Sequence, residues 1–148
     1  MQFYCADSQE AHDTVVQAFK VAEKINLPAM VCVDGFTLSH VFEPVDLLGR
    51  DDVDKYLSDF NPSIKLDPAR PVTMGPIAYP KEYMLFKIQQ HDAMLKSIPL
   101  IKEANQQFKY FFERSYGDGL IEGYRMEDAE LAFVCMGSMY GTVKFVVD

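Results

Sequence analysis

The chain has 148 residues, 49% of them hydrophobic and 24% charged, and a formal net charge of −8. It is long enough and apolar enough to build a core, and it holds no run of about 18 apolar residues that could span a bilayer. Its dispersed acidity repels phosphate backbones, which sets nucleic acid aside as a partner and suits a solvated surface.

Residues 1–7 lack the basic stretch and apolar run of a secretory signal. Cys5, Cys32 and Cys135 are odd in number and far apart. That spacing fits neither a disulfide framework nor a metal or iron–sulfur cassette. Reduced thiols in a cytoplasmic protein are the economical expectation.

Asp7 followed by Glu10 reads as a helix start, with the glutamate reaching back to the capping residue. Ala11, Val15, Ala18, Phe19, Ala22 and Ile25 then share one helical face. Asn26, Leu27 and Pro28 close that helix. Residues 29–33 form a continuous apolar run, as expected for a strand covered on both faces. Asp34 and Gly35 end the strand. Phe36, Ser39 and His40 follow outside its carboxyl end, where open α/β sheets gather their ligands.

A short helix is expected over 51–60, with Val53, Leu57 and Phe60 facing one way. Pro62, Pro68, Pro71, Pro76 and Pro80 then mark an extended connector, interleaved with apolar residues and expected to pack against its own protein or a neighbour. Pro80 stands near the first turn of a long helix. Met84, Ile88, His91, Leu95, Ile98, Ile101, Phe108 and Phe112 form its expected buried seam. Pro99 should kink it. Residues 129–135 read as a buried strand, and residues 136–142 as a glycine turn into a final helix.

This order suits the seam between two α/β domains. A closing strand and helix alone cannot cover both faces of a parallel sheet, so the sequence reads as an excerpt of a larger protein. The Gly137, Ser138 and Gly141 turn lacks the spacing of a dinucleotide fingerprint and the lysine of a P-loop. Either its glycines only permit a tight turn, or its amides face an anion. His12, His40 and His91 have no partners at metal-ligand spacing apart from the adjacent Asp92, so no metal site is expected. A lone His40 beside Ser39 is more often structural than catalytic.

Several stretches, taken together and in order, resemble the α-subunit of 2-oxoacid:ferredoxin oxidoreductases, most closely the pyruvate synthase type. They include Gln9, Glu10 and Ala11; residues 30–36 with Leu38, Ser39 and His40; Glu43, Pro44 and Val45; and Leu66, Asp67 and Pro68. They continue through residues 71–75, Gln89, Gln90 and His91, Phe112 with residues 114–117, Tyr124 and Arg125, and residues 136–144. Pro99 departs from the family pattern, in which this helix runs uninterrupted.

The resemblance implies an α/β fold in three parts. Residues 1–60 would close a pyrimidine-binding-type domain. Residues 61–125 would form the connector and long helix, and residues 126–148 would begin a transketolase C-terminal-like domain. It also implies thiamine diphosphate with Mg and [4Fe-4S] clusters in the assembled parent, coenzyme A as co-substrate, and β, γ and iron–sulfur subunits or domains as partners, with electrons passed to ferredoxin.

The family's catalytic and cofactor-binding residues match no position here, so none is assigned. Asp34, Gly35, Phe36, Ser39 and His40 are carried as a loop that shapes the site or contacts a subunit, and Gly137, Ser138 and Gly141 as an anion turn. The chain alone is expected to be inactive and not to bind thiamine diphosphate. The rival expectation is a naturally short docking or assembly module, whose dimerisation would vanish on Met84→Lys or Phe108→Glu.

Overall fold

The computed structural model describes residues 1–62 and 64–148; residue 63 of the connector lies outside the described residues. The elements in chain order are β1 (Gln2–Tyr4), α1 (Ser8–Ile25), β2 (Met30–Cys32), α2 (Arg50–Leu57), α3 (Pro80–Phe112) and α4 (Met139–Val147). β1 and β2 pair in parallel, Phe3 opposite Val31, and α1 is the crossover between them. The opening is therefore a βαβ unit, the α/β grammar expected for the chain. β1 has no counterpart in the sequence reading, because three residues are too few to show alternation.

α1 begins as its residues dictate. The Glu10 N–H donates to Asp7 Oδ1 at 2.7 Å, and Glu10 Oε2 accepts from the Ala6 N–H at 2.6 Å, one residue ahead of the expected cap amide. Asn26 ends the helix in the left-handed region at φ 54°. The buried face differs from the expected one. Asp13, Thr14, Ala18 and Val21 are buried, whereas Phe19 is 56% exposed.

β2 is likewise shorter and barer than expected, with Met30 55% exposed. In α2 the buried residue is Tyr56, and Phe60 lies beyond the helix end in the open. Residues 64–79 have no regular structure, and Ile64, Leu66, Met74 and Ile77 are exposed rather than packed.

α3 is one 33-residue helix with Pro80 at its first turn, and it runs continuously through Pro99. Its two halves differ. Residues 80–92 are exposed on every side, whereas Ser97, Ile101, Ala104, Asn105 and Phe108 are buried. Of the expected seam, Ile101 and Phe108 are buried, and Met84, Ile88, Leu95 and Ile98 are exposed.

The core has two centres. Val21 packs with Ile101 and Ala104, flanked by Met1, Phe3, Ile25 and Leu100. Beside it Tyr56 meets Phe108 edge-to-face at 5.5 Å, and Phe111 and Phe112 complete an aromatic group. The Tyr56 hydroxyl donates to the Ala104 carbonyl at 3.0 Å, tying α2 to α3. Lys20 of α1 lies 4.1 Å above the Tyr56 ring.

The strand expected over 129–135 does not form. Leu131, Phe133 and Val134 are exposed in irregular backbone. A strand exists by pairing with a neighbour's amides, and among the described residues no third strand offers a ladder. The glycine turn and final helix do form. Gly137 sits at φ 68°, and α4 follows Ser138.

Candidate functional site

The two stretches singled out from the sequence meet in space. Asp34 stands just past the carboxyl end of β2, and Ser138 just ahead of α4. The Ser138 N–H donates to Asp34 Oδ2 at 2.7 Å and its hydroxyl donates to the same oxygen at 2.6 Å. These two bonds, the hydroxyl one first, hold the Asp34 carboxyl below its ordinary range. Gly137 suits this close approach. A Cβ would lie 2.6 Å from Asp34 Oδ2, and the positive φ already disfavours any other residue. Gly141 lies one turn into α4, open on all sides, and takes no part in this contact.

The loop after Asp34 is folded on itself. The Asp34 carbonyl accepts from Leu38 N at 3.1 Å and Ser39 N at 3.2 Å. Phe36, at φ 62°, stacks on the His40 ring with centroids 4.6 Å apart. Ser39 Oγ accepts from Phe36 N at 3.0 Å and lies 2.7 Å from His40 Nδ1. That oxygen, already accepting from Phe36, exchanges a hydrogen bond with Nδ1 whose direction follows the imidazole tautomer. The His40 ring itself is exposed. Among the described residues no carboxylate is hydrogen-bonded to the far nitrogen of His40, so Ser39 and His40 lack the third member of a triad.

A third cluster escaped the sequence reading. Asp13, fully buried on α1, accepts from Arg114 Nε at 2.7 Å and Nη2 at 2.9 Å, and from the Tyr116 hydroxyl at 2.8 Å. Its Oδ1 also lies 3.0 Å from His12 Nδ1 and accepts from Gln9 Nε2 at 3.1 Å. Gln9 in turn accepts from Asp46 N at 2.7 Å. Burial alone would raise the Asp13 carboxyl, but hydrogen bonds from Arg114, then His12 and Tyr116, hold it below its usual value. Burial, then the bond to Asp13, raises the Tyr116 phenol. Next to this cluster Asn105 reads the backbone after α3, accepting from Tyr116 N and donating to the Gly117 carbonyl. The signal in the sequence was a carboxylate five residues after the Ser8 start of α1, on its buried side, and an Arg-x-Tyr just past a long helix.

Little in the described residues fits a diphosphate. The α4 amide that could face one is taken by Asp34. The α1 start is capped by the Asp7 carboxylate, and α3 opens with Pro80 and Glu82, which withhold a donor and add negative charge. An open groove of about 340 Å³ is lined by Leu27, Pro76, Tyr83, Phe86 and Lys87. No buried side-chain polar atom among the described residues lacks a partner that a cofactor could satisfy.

With this geometry in place, the comparisons define the class. The family described as "Pyruvate flavodoxin/ferredoxin oxidoreductase, thiamine diP-bdg" matches residues 1–106, and the chain belongs to that family. Among individual relatives, the chain is 47% identical to the pyruvate synthase subunit PorA of Methanosarcina barkeri and 41% identical to that of Methanocaldococcus jannaschii, in both cases over its whole length. It is 38% identical to the ketoisovalerate oxidoreductase subunit VorA of Pyrococcus abyssi. The chain spans 37% and 39% of the two PorA subunits and 38% of VorA. No helix among the described residues is long and apolar enough to cross a membrane.

Proposed function

We propose that this chain is part of the α-subunit of a thiamine-dependent 2-oxoacid:ferredoxin oxidoreductase whose parent reaction converts pyruvate, coenzyme A and oxidised ferredoxin to acetyl-CoA, CO2 and reduced ferredoxin. The observation that carries the reading is the alignment of the whole chain to 37–39% of PorA at 41–47% identity, beside 38% identity to VorA. In the assembled enzyme thiamine diphosphate would stabilise the carbanion left by decarboxylation, and Mg and iron–sulfur clusters would come from outside this chain. The proposed role of these residues is architectural. Residues 1–60 close the pyrimidine-type domain, residues 61–125 cross to its neighbour, and residues 126–148 begin the next domain. The second half of α3 shares the core of α1, which supports a seam held rigidly rather than a loose tether.

The loop of Asp34, Gly35, Phe36, Ser39 and His40 is proposed to shape the site or a subunit contact by presenting the exposed His40 ring. The Gly137, Ser138 and Gly141 turn is proposed to answer to the chain's own anion, Asp34. The test is to purify the native polypeptide carrying this sequence with its co-purifying subunits and assay coenzyme A-dependent viologen reduction. Pyruvate is expected to support turnover at least tenfold better than 2-ketoisovalerate. Equal or reversed rates would overturn the substrate assignment, and no reduction with either would overturn the enzyme reading. Isothermal titration of the isolated 148-residue chain should show no thiamine diphosphate binding at micromolar cofactor.

A docking-module reading draws on Tyr83, Met84, Leu85, Phe86 and Ile88, all exposed on the first half of α3. Met84→Lys remains a clean probe of it, since the side chain is 66% exposed. Phe108→Glu does not, because Phe108 is fully buried and the charge would disrupt the core.

A further inference from the structure

We propose that Asp34 is a positioning residue that makes the loop after β2 and the start of α4 one mechanical unit, so that the arrangement of Phe36, Ser39 and His40 depends on α4 being docked. The residue works at both of its ends. Its backbone carbonyl closes the loop by accepting from Leu38 N and Ser39 N. Its side chain grips Ser138 through two donors, 104 residues away. Backbone and carboxylate are joined by two rotatable bonds, so a shift of α4 must be absorbed within the loop or break the grip. Gly137 favours the fit from the other side, because a Cβ there would lie 2.6 Å from Asp34 Oδ2 and push the carboxylate out of its present position.

Other ties of this region lie away from the loop. The Tyr140 hydroxyl donates to Glu122, and Arg125 Nη1 donates to the Val147 carbonyl at 2.9 Å, which bind α4 to the segment before it. Among the described residues, Asp34 is thus the side chain that joins α4 to the loop. The family match covers residues 1–106 and includes Asp34 but not Ser138. The contact therefore carries the placement of a segment outside that match to His40 within it. The inference deepens the role proposed above for the loop, yet it rests on geometry and not on the assigned chemistry.

The test is hydrogen exchange by mass spectrometry on the native polypeptide carrying this sequence, comparing peptides from 36–40, 136–142 and α1. A hydrogen bond to a charged group contributes enough that losing one should raise local exchange about tenfold. Ser138→Ala is expected to do so at 136–142 and equally at 36–40, with α1 unchanged, and Ser138→Thr, which keeps both donors, should restore the native pattern. Gly137→Ala should loosen both peptides, and its effect should shrink in the Asp34→Ala background, where the carboxylate is gone. Unchanged exchange at 36–40 in Ser138→Ala would overturn the proposal, as would a uniform rise that includes α1, or additive effects of Gly137→Ala and Asp34→Ala. Should Asp34→Ala fail to fold, Ser138→Ala decides alone, since it removes a single hydroxyl from a half-buried position. None of these readouts depends on turnover, so an enzyme inactive on 2-oxoacids would leave the result standing.

Discussion

Replacing Asp13 with asparagine keeps the side-chain volume but leaves the Arg114 guanidinium without its counter-charge. Breaking one partner of a buried ion pair costs about 3 kcal/mol or more, and chemical denaturation of Asp13→Asn should show a loss of that size. The pH dependence has a definite sign. The folded carboxyl titrates below its ordinary value of 3.8, so its contribution is present above that pH and is lost as the pH falls through the lower folded value. Acid titration of stability should therefore steepen below about pH 4, and Asp13→Asn should flatten that part of the curve.

Tyr56→Phe removes only the bond to the Ala104 carbonyl and should cost about 1 kcal/mol, whereas Tyr56→Ala also opens a cavity and should cost about 3–5 kcal/mol. Neither residue was legible beforehand. A helical wheel counts apolar side chains, and it cannot see a carboxylate whose burial depends on an arginine 101 residues away. The Asp7–Glu10 cap was legible, because both of its partners lie within one turn.

At the scale of elements, α3 divides what sequence could and could not tell. Its length and its start at Pro80 follow from local chemistry. Which face is buried, and over which half, depends on α1 and α2, and the apolar stripe runs on past the point where they stop. Pro99 lies in the helix interior, where its missing N–H leaves the Leu95 carbonyl without its usual donor. Pro99→Ala should restore that bond and stabilise the chain by about 1 kcal/mol or more, read as a higher Tm. The strand expected over 129–135 failed for a related reason. Its apolar run is a sound β signal, but pairing is a property of two segments and no run carries its own partner. The turn at 137–141 needed no such partner to form, and it did.

At the scale of the whole molecule, the α/β opening, the crossing helix and the final turn were all readable, and the family resemblance was carried by the ordered sequence motifs along them. The way the ends are joined was not. Residues 114–116 return to α1 through Asp13, and residue 138 returns to β2 through Asp34. Carboxylates of the opening unit thus hold the closing segment, and neither junction shows as a motif.

The distances along the chain at these junctions also order events in time. Met1 donates to the Pro28 carbonyl across 27 residues, while Arg114 reaches Asp13 across 101. Closing the longer loop costs about 1 kcal/mol more in chain entropy, so the βαβ unit should assemble first and the arginine clamp should close after the barrier has been crossed. Asp13→Asn should then leave the refolding rate nearly unchanged and accelerate unfolding by most of its equilibrium effect. Stopped-flow traces with a slowed refolding arm would place the clamp in the folding nucleus instead.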